Sequence, residues 1–108
     1  MNFGLALVRD QISHDAHESG AWRNAKASQF PDDPRNKKAA ARLLELAGTT
    51  DADSTLLVRI LDHPHYSKIR KATSAACRDV GFRFAPRTLD DLYARILENL
   101  DELNGLKH

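Results

Sequence analysis

An all-α domain, either a compact bundle or an orthogonal packing of four to six short helices, is what this sequence predicts, and three observations lead there. Apolar residues recur at spacings of three and four along most of the chain, the period of a helix that buries one face. Aromatic residues are few (one Trp, two Tyr, four Phe), so the core is built mainly from Leu, Ile, Val and Ala, which suits helix-on-helix packing better than a sheet. Helix start and stop signals divide the apolar runs into lengths typical of globular helices.

In the N-terminal third, Leu5, Val8, Ile12 and Ala16 have helical spacing, and Ser19-Gly20 interrupts it. Residues 21–28 resume the pattern with Trp22 and Ala25 on one side, so the sequence leaves open one bent helix or two separate ones. Asp32-Asp33-Pro34 is a legible helix start, an acidic N-cap followed by proline in the first turn. Ala39, Leu43, Leu46 and Ala47 then form one face and Gly48 ends a helix over 34–47. Thr50 and Asp53 mark the next start, and Leu56, Leu57, Ile60 and Leu61 are the buried side of a helix over 55–62, which Pro64 stops.

A longer helix is expected over 66–80, with Ile69, Thr73, Ala76, Cys77 and Val80 inward and Gly81 at its exit. Phe82-Arg83-Phe84 alternates too briefly for a sheet and reads as an extended connector whose two phenylalanines plug the core. The last helix is the clearest. Leu89, Leu92, Tyr93, Ile96, Leu100 and Leu103 make a continuous stripe, Thr88 and Asp91 form a capping box, and Asn104-Gly105 supplies the stop. Asp91 and Arg95 stand four apart in the favourable order for an ion pair along that helix.

The 108 residues fit a single helical domain over 1–108, with no room for two cores, no repeat period and no linker-like segment. The formal net charge of +1 gives no global field toward nucleic acid or membrane. A lone cysteine, Cys77, excludes an internal disulfide framework and fits a reducing compartment. The apolar stretch at residues 3–8 is too short for a secretory signal, and no run approaches the roughly 18–20 residues that span a bilayer. A cytoplasmic protein is expected.

Nothing in the residue pattern demands a specific reaction, and no cofactor or metal is expected from it. His14 and His17 share a helix face beside Asp15 and Glu18, but a metal site needs three or four donors, and His63 and His65 flank Pro64 far along the chain. These histidines read as solvated surface residues. Cys77 reads as a small buried apolar residue rather than a nucleophile, because it lies well past the start of its helix. There is no G-x-S-x-G motif and no glycine-rich phosphate loop, and Asp32 and Asp33 are explained by the helix they precede, so an enzyme is not expected.

The charge distribution says more than the total. Residues 59–87 carry a formal +5 and residues 88–108 carry −3. On an ideal helix Lys68, Lys71 and Arg78 fall within about 80° of one another, opposite Ile69, Ala76 and Val80. With Arg83 and Arg87 they form a basic surface that suits nucleic acid, and a short helix, the His63-Pro64-His65 turn and a basic helix outline a helix-turn-helix. Against this, the turn is built on proline rather than glycine, and the basic helix lacks the base-reading side chains expected near its start.

A second basic stripe of Lys37, Lys38 and Arg42 reads as solvated surface. Trp22 is expected as a central packing residue, with an anchor at a partner interface as its alternative. The function expected is therefore a non-catalytic protein-interaction module with a protein partner. An apolar strip that Leu97 widens on the last helix offers a route to self-association. A nucleic-acid-binding accessory or regulatory domain is the alternative.

Overall fold

The computed structural model describes residues 3–49 and 54–105. Five α-helices lie within them: α1 Phe3–Gln29, α2 Pro34–Gly48, α3 Thr55–Leu61, α4 Ile69–Asp79 and α5 Leu89–Gly105, with a 3-10 turn at Tyr66–Lys68 leading into α4. The bundle measures 42 × 37 × 19 Å, so its thin dimension holds about two helix diameters of roughly 10 Å each. The most extensive pairing is α1 on α2, while α4 and α3 each pack on both α1 and α5. One aliphatic core joins Val8, Ile12 and Ala16 of α1 to Leu43, Leu57, Ile60, Ala76, Leu92, Tyr93, Ile96 and Leu100.

Residues 3–29 form a single continuous helix of 27 residues, which settles the one-or-two alternative. Ser19-Gly20 does not interrupt it. Gly20 is buried against α2, where a Cβ would sit 2.9 Å from Cγ and Cδ2 of Leu44, so the glycine serves a close helix approach. The inward face of α1 also corrects the expectation for Trp22, whose side chain is half exposed. The inward position in that turn belongs to its neighbour Arg23, only 3% exposed.

Capping chemistry places the other helices much as expected. Asp33 caps α2 by accepting from the Arg35 N–H at 3.0 Å, with Pro34 in the first turn. At α5 the box is reciprocal: Asp91 N–H donates to Thr88 Oγ1, and Thr88 N–H donates to an Asp91 carboxylate oxygen, both at 3.3 Å. That carboxylate also accepts from Arg87 N–H, so Asp91 is spent on the cap. Arg95 instead pairs with Asp79 of α4 at 3.1 Å and Glu98 at 3.3 Å. The cap of α3 is Ser54, which accepts from Leu56 N–H and donates to Asp90 on α5 at 2.7 Å. The expected start signals Thr50 and Asp53 lie outside the described residues.

Residues 80–84 form a tight turn rather than an extended connector. The Asp79 carbonyl accepts from the N–H groups of Phe82, Arg83 and Phe84, and Gly81 adopts φ 86°, which a glycine takes without strain. Phe84 packs half-buried on the core, as expected, but Phe82 turns outward. Leu97 is buried in the core and leaves no widened apolar strip on α5. Among the described residues no helix is long and apolar enough to cross a membrane.

Candidate functional site

The face where α1 passes α4 gathers the groups the core does not use. Arg23 organises it. Its Nη1 donates to Asn36 Oδ1 on α2 at 3.1 Å and its Nη2 donates to the Arg78 backbone carbonyl on α4, so one guanidinium ties three helices together. Burial lowers its pKa, while the nearby Asp79 charge acts in the opposite direction. Its planar fork also stacks: the guanidinium carbon lies 4.5 Å from the Phe82 ring centroid and 5.7 Å from that of Trp22.

From there rings and cations alternate across the surface. Lys26 Nζ lies 5.4 Å from the Trp22 centroid and 5.8 Å from that of Phe30, and Arg35 lies 4.9 Å from Phe82. The rings remain open to solvent, Trp22 at 52%, Phe30 at 55% and Phe82 at 46% exposure. Arg35 is held in place by Asp33, whose Oδ2 accepts from Nη2 at 2.8 Å. This pairing holds the Asp33 carboxyl down at about 2. The patch is therefore assembled from the end of α1, the start of α2 and the turn after α4.

Beside it runs a cleft of about 370 Å³ between α1 and α4. Asp15, Glu18 and Ser19 line one end, Trp22 and Arg23 the wall toward the patch, and Arg70, Ser74, Cys77 and Arg78 the α4 side. Cys77 is fully buried, and desolvation pushes its thiol up to about 11 against the effect of a hydrogen bond with Ser19. This agrees with the reading of Cys77 as a packing residue. His14, exposed beside the cleft, brings a ligand-type atom within 4.8 Å of those of Asp15 and Glu18.

Three of the five sequence-chosen cations line two grooves. Lys71 and Arg78 line a groove between α4 and α5 together with Asn99 and Glu102. Arg87 lines a different groove with Lys38 and Arg42, which joins it to the second basic stripe. Lys68 sits half-buried in the 3-10 turn, and Arg83 is exposed in the turn after α4. The helix-turn-helix outline is present in order only, because α3 and α4 pack chiefly on α1 and α5 rather than on each other.

Comparisons with protein-family models, curated proteins and solved structures return no match. The residues themselves carry the functional argument. Of the histidines, His63 is engaged at both ring nitrogens, accepting from His65 N–H at 3.0 Å and meeting Asp101 of α5 at 2.8 Å, so it fastens the turn to α5. Sequence reasoning missed Arg23, Lys26, Phe30 and Arg35 as a group. Their signal was present in the aromatic and basic alternation of residues 22–35, but Phe82 joins them only through the fold.

Proposed function

We propose that this chain is a non-catalytic protein-interaction module whose docking face is the patch of Trp22, Phe30 and Phe82, and whose partner presents an acidic segment with apolar side chains. The supporting observation is the interleaving of three open rings with Lys26 and Arg35 on one face, above the buried Arg23. Among the described residues the large apolar side chains left exposed are Leu7, Trp22, Phe30, Val58 and Phe82, and three of these five fall on this patch. Covering apolar surface is favourable by about 25 cal/mol per Å². Trp and Arg are the residue types that most often dominate interface energetics. Lys26 and Arg35 beside the rings favour an acidic partner through electrostatic complementarity.

Phosphate tracking suits the molecule less. It needs a continuous run of cations, whereas Lys71 and Arg78 share their groove with Glu102 and Arg87 lies in another. Self-association through α5 loses its support, since Leu97 is in the core. The lone, buried Cys77 fits a cytoplasmic setting.

Trp22 is the only tryptophan, so its emission reports directly on the patch. Titration with a Trp-free peptide alternating glutamate with leucine is expected to blue-shift that emission saturably, and Phe82→Ala or Lys26→Ala to weaken binding about tenfold, equivalent to about 1.4 kcal/mol. The same peptide with lysine for glutamate is the control. An unchanged spectrum, or an equal response to the lysine peptide, refutes the proposal. A response confined to oligothymidylate and falling steeply with salt would install the nucleic-acid reading in its place.

A further inference from the structure

We infer that His14, Asp15 and Glu18 form a divalent transition-metal site on α1, beside the acidic end of the cleft between α1 and α4. The three residues place their ligand-type atoms within 4.8 Å of one another, and His14 Nε2 already lies 3.2 Å from Glu18 Oε1 one helical turn away. Donors on a tetrahedral metal at 2.0–2.2 Å stand roughly 3.3–3.6 Å apart. The exposed His14 and Glu18 side chains can close the remaining gap by rotation, with no backbone movement.

Asp15 supplies the independent reason to expect a ligand. Its side chain is 6% exposed. One carboxylate oxygen accepts from Gln11 Nε2 at 3.0 Å, and the other, also buried, has no hydrogen-bond partner among the described residues. Buried carboxylate oxygens ordinarily find a donor or a cation, because leaving one unpaired is costly. Asp15 and Glu18 both line the cleft, and a carboxylate oxygen of Asp15 lies within 4.8 Å of the His14 and Glu18 ligand atoms.

The donor set selects the ion. One imidazole and two carboxylates suit zinc, nickel, cobalt or manganese, whereas calcium and magnesium favour all-oxygen surroundings. Three protein donors leave a coordination position for water or a small ligand, and the adjoining cleft carries Arg70 and Arg78 on its α4 side. His17 is not in the group, although it lies between Asp15 and Glu18 in the sequence. His63, occupied at both nitrogens, is not part of it either.

The test is calorimetric titration of the untagged, chelator-treated full chain with zinc sulfate, alongside a thermal melt with and without the metal. One zinc per chain is expected, with a raised melting temperature. His14→Ala and Glu18→Gln alter exposed positions, so both are expected to melt like the parent without metal while losing more than about tenfold in zinc affinity. Asp15→Asn is expected to lose the zinc-dependent rise in melting temperature, and His17→Ala and His63→Ala to retain it. Histidine proton resonances give a second readout, the His14 ring signals moving on zinc addition. Sub-stoichiometric binding, affinity unchanged in both His14→Ala and Glu18→Gln, or loss confined to His63→Ala would each overturn the assignment.

Discussion

At the scale of single residues, Arg23 and Cys77 show how burial changes what a side chain does. Arg23, a charged residue on α1, is the polar keystone between α1, α2 and α4. Arg23→Ala is expected to destabilise the protein by about 2–4 kcal/mol, because Asn36 and the Arg78 carbonyl lose their donor. Urea unfolding measures this, and Arg23→Lys should recover only part of it, since an ammonium cannot reproduce the planar fork. Cys77 makes a pH-dependent prediction. Its folded-state pKa of about 11 lies above the ordinary value of 9.0, so the folded state holds the thiol proton after the unfolded chain has released it. Stability therefore falls as pH rises from about 9 to about 11, by up to about 3 kcal/mol. The same alkaline titration of Cys77→Ala should lack that slope; an identical slope would show that the thiol contributes nothing to it.

At the scale of elements, α1 explains why one third of the chain was hard to read. Its inward positions after Ile12 include Asp15, Ala16, Gly20 and Arg23, so the buried face is marked by small and charged residues instead of a leucine stripe. A reading based on apolar periodicity places Trp22 inside because it is the large apolar residue available, and misses Arg23 beside it. Gly20 is the element-level test. Alanine normally favours a helix interior over glycine by about 1 kcal/mol. Here its methyl meets Leu44, and overpacking of this kind costs about 1–3 kcal/mol, so Gly20→Ala is expected to lower the melting temperature. In a Leu44→Ala background the obstacle is gone and the same change should stabilise. Equal effects in both backgrounds would remove the close-approach explanation. By contrast α2 and α5 were legible almost to their boundaries, because Asp33-Pro34 and the Thr88–Asp91 box act within a few residues of chain.

At the scale of the whole molecule, flatness governs what the surface offers. A bundle about two helices thick buries one continuous core and leaves broad faces, and Lys71, Arg78 and Arg87 line grooves that also belong to α5 or α2. The aromatic and cationic patch arises from the fold. Residues 22–35 and Phe82 are far apart in sequence and are brought together where the tight turn after α4 folds back on α1 and α2. The docking proposal belongs to this scale, and the single-tryptophan titration tests it on the intact chain.

The sequence by itself determined the helical class, the bounds of α2 and α5, the inward place of Cys77 and the aliphatic core. Those follow from periodicity and caps, which are local and need no knowledge of neighbours. Tertiary structure alone decided that α1 runs unbroken through Gly20, that Arg23 and not Trp22 faces inward, and that Phe82 completes an exposed patch. Each depends on which surface a side chain meets across the bundle, a distance no spacing along the chain encodes.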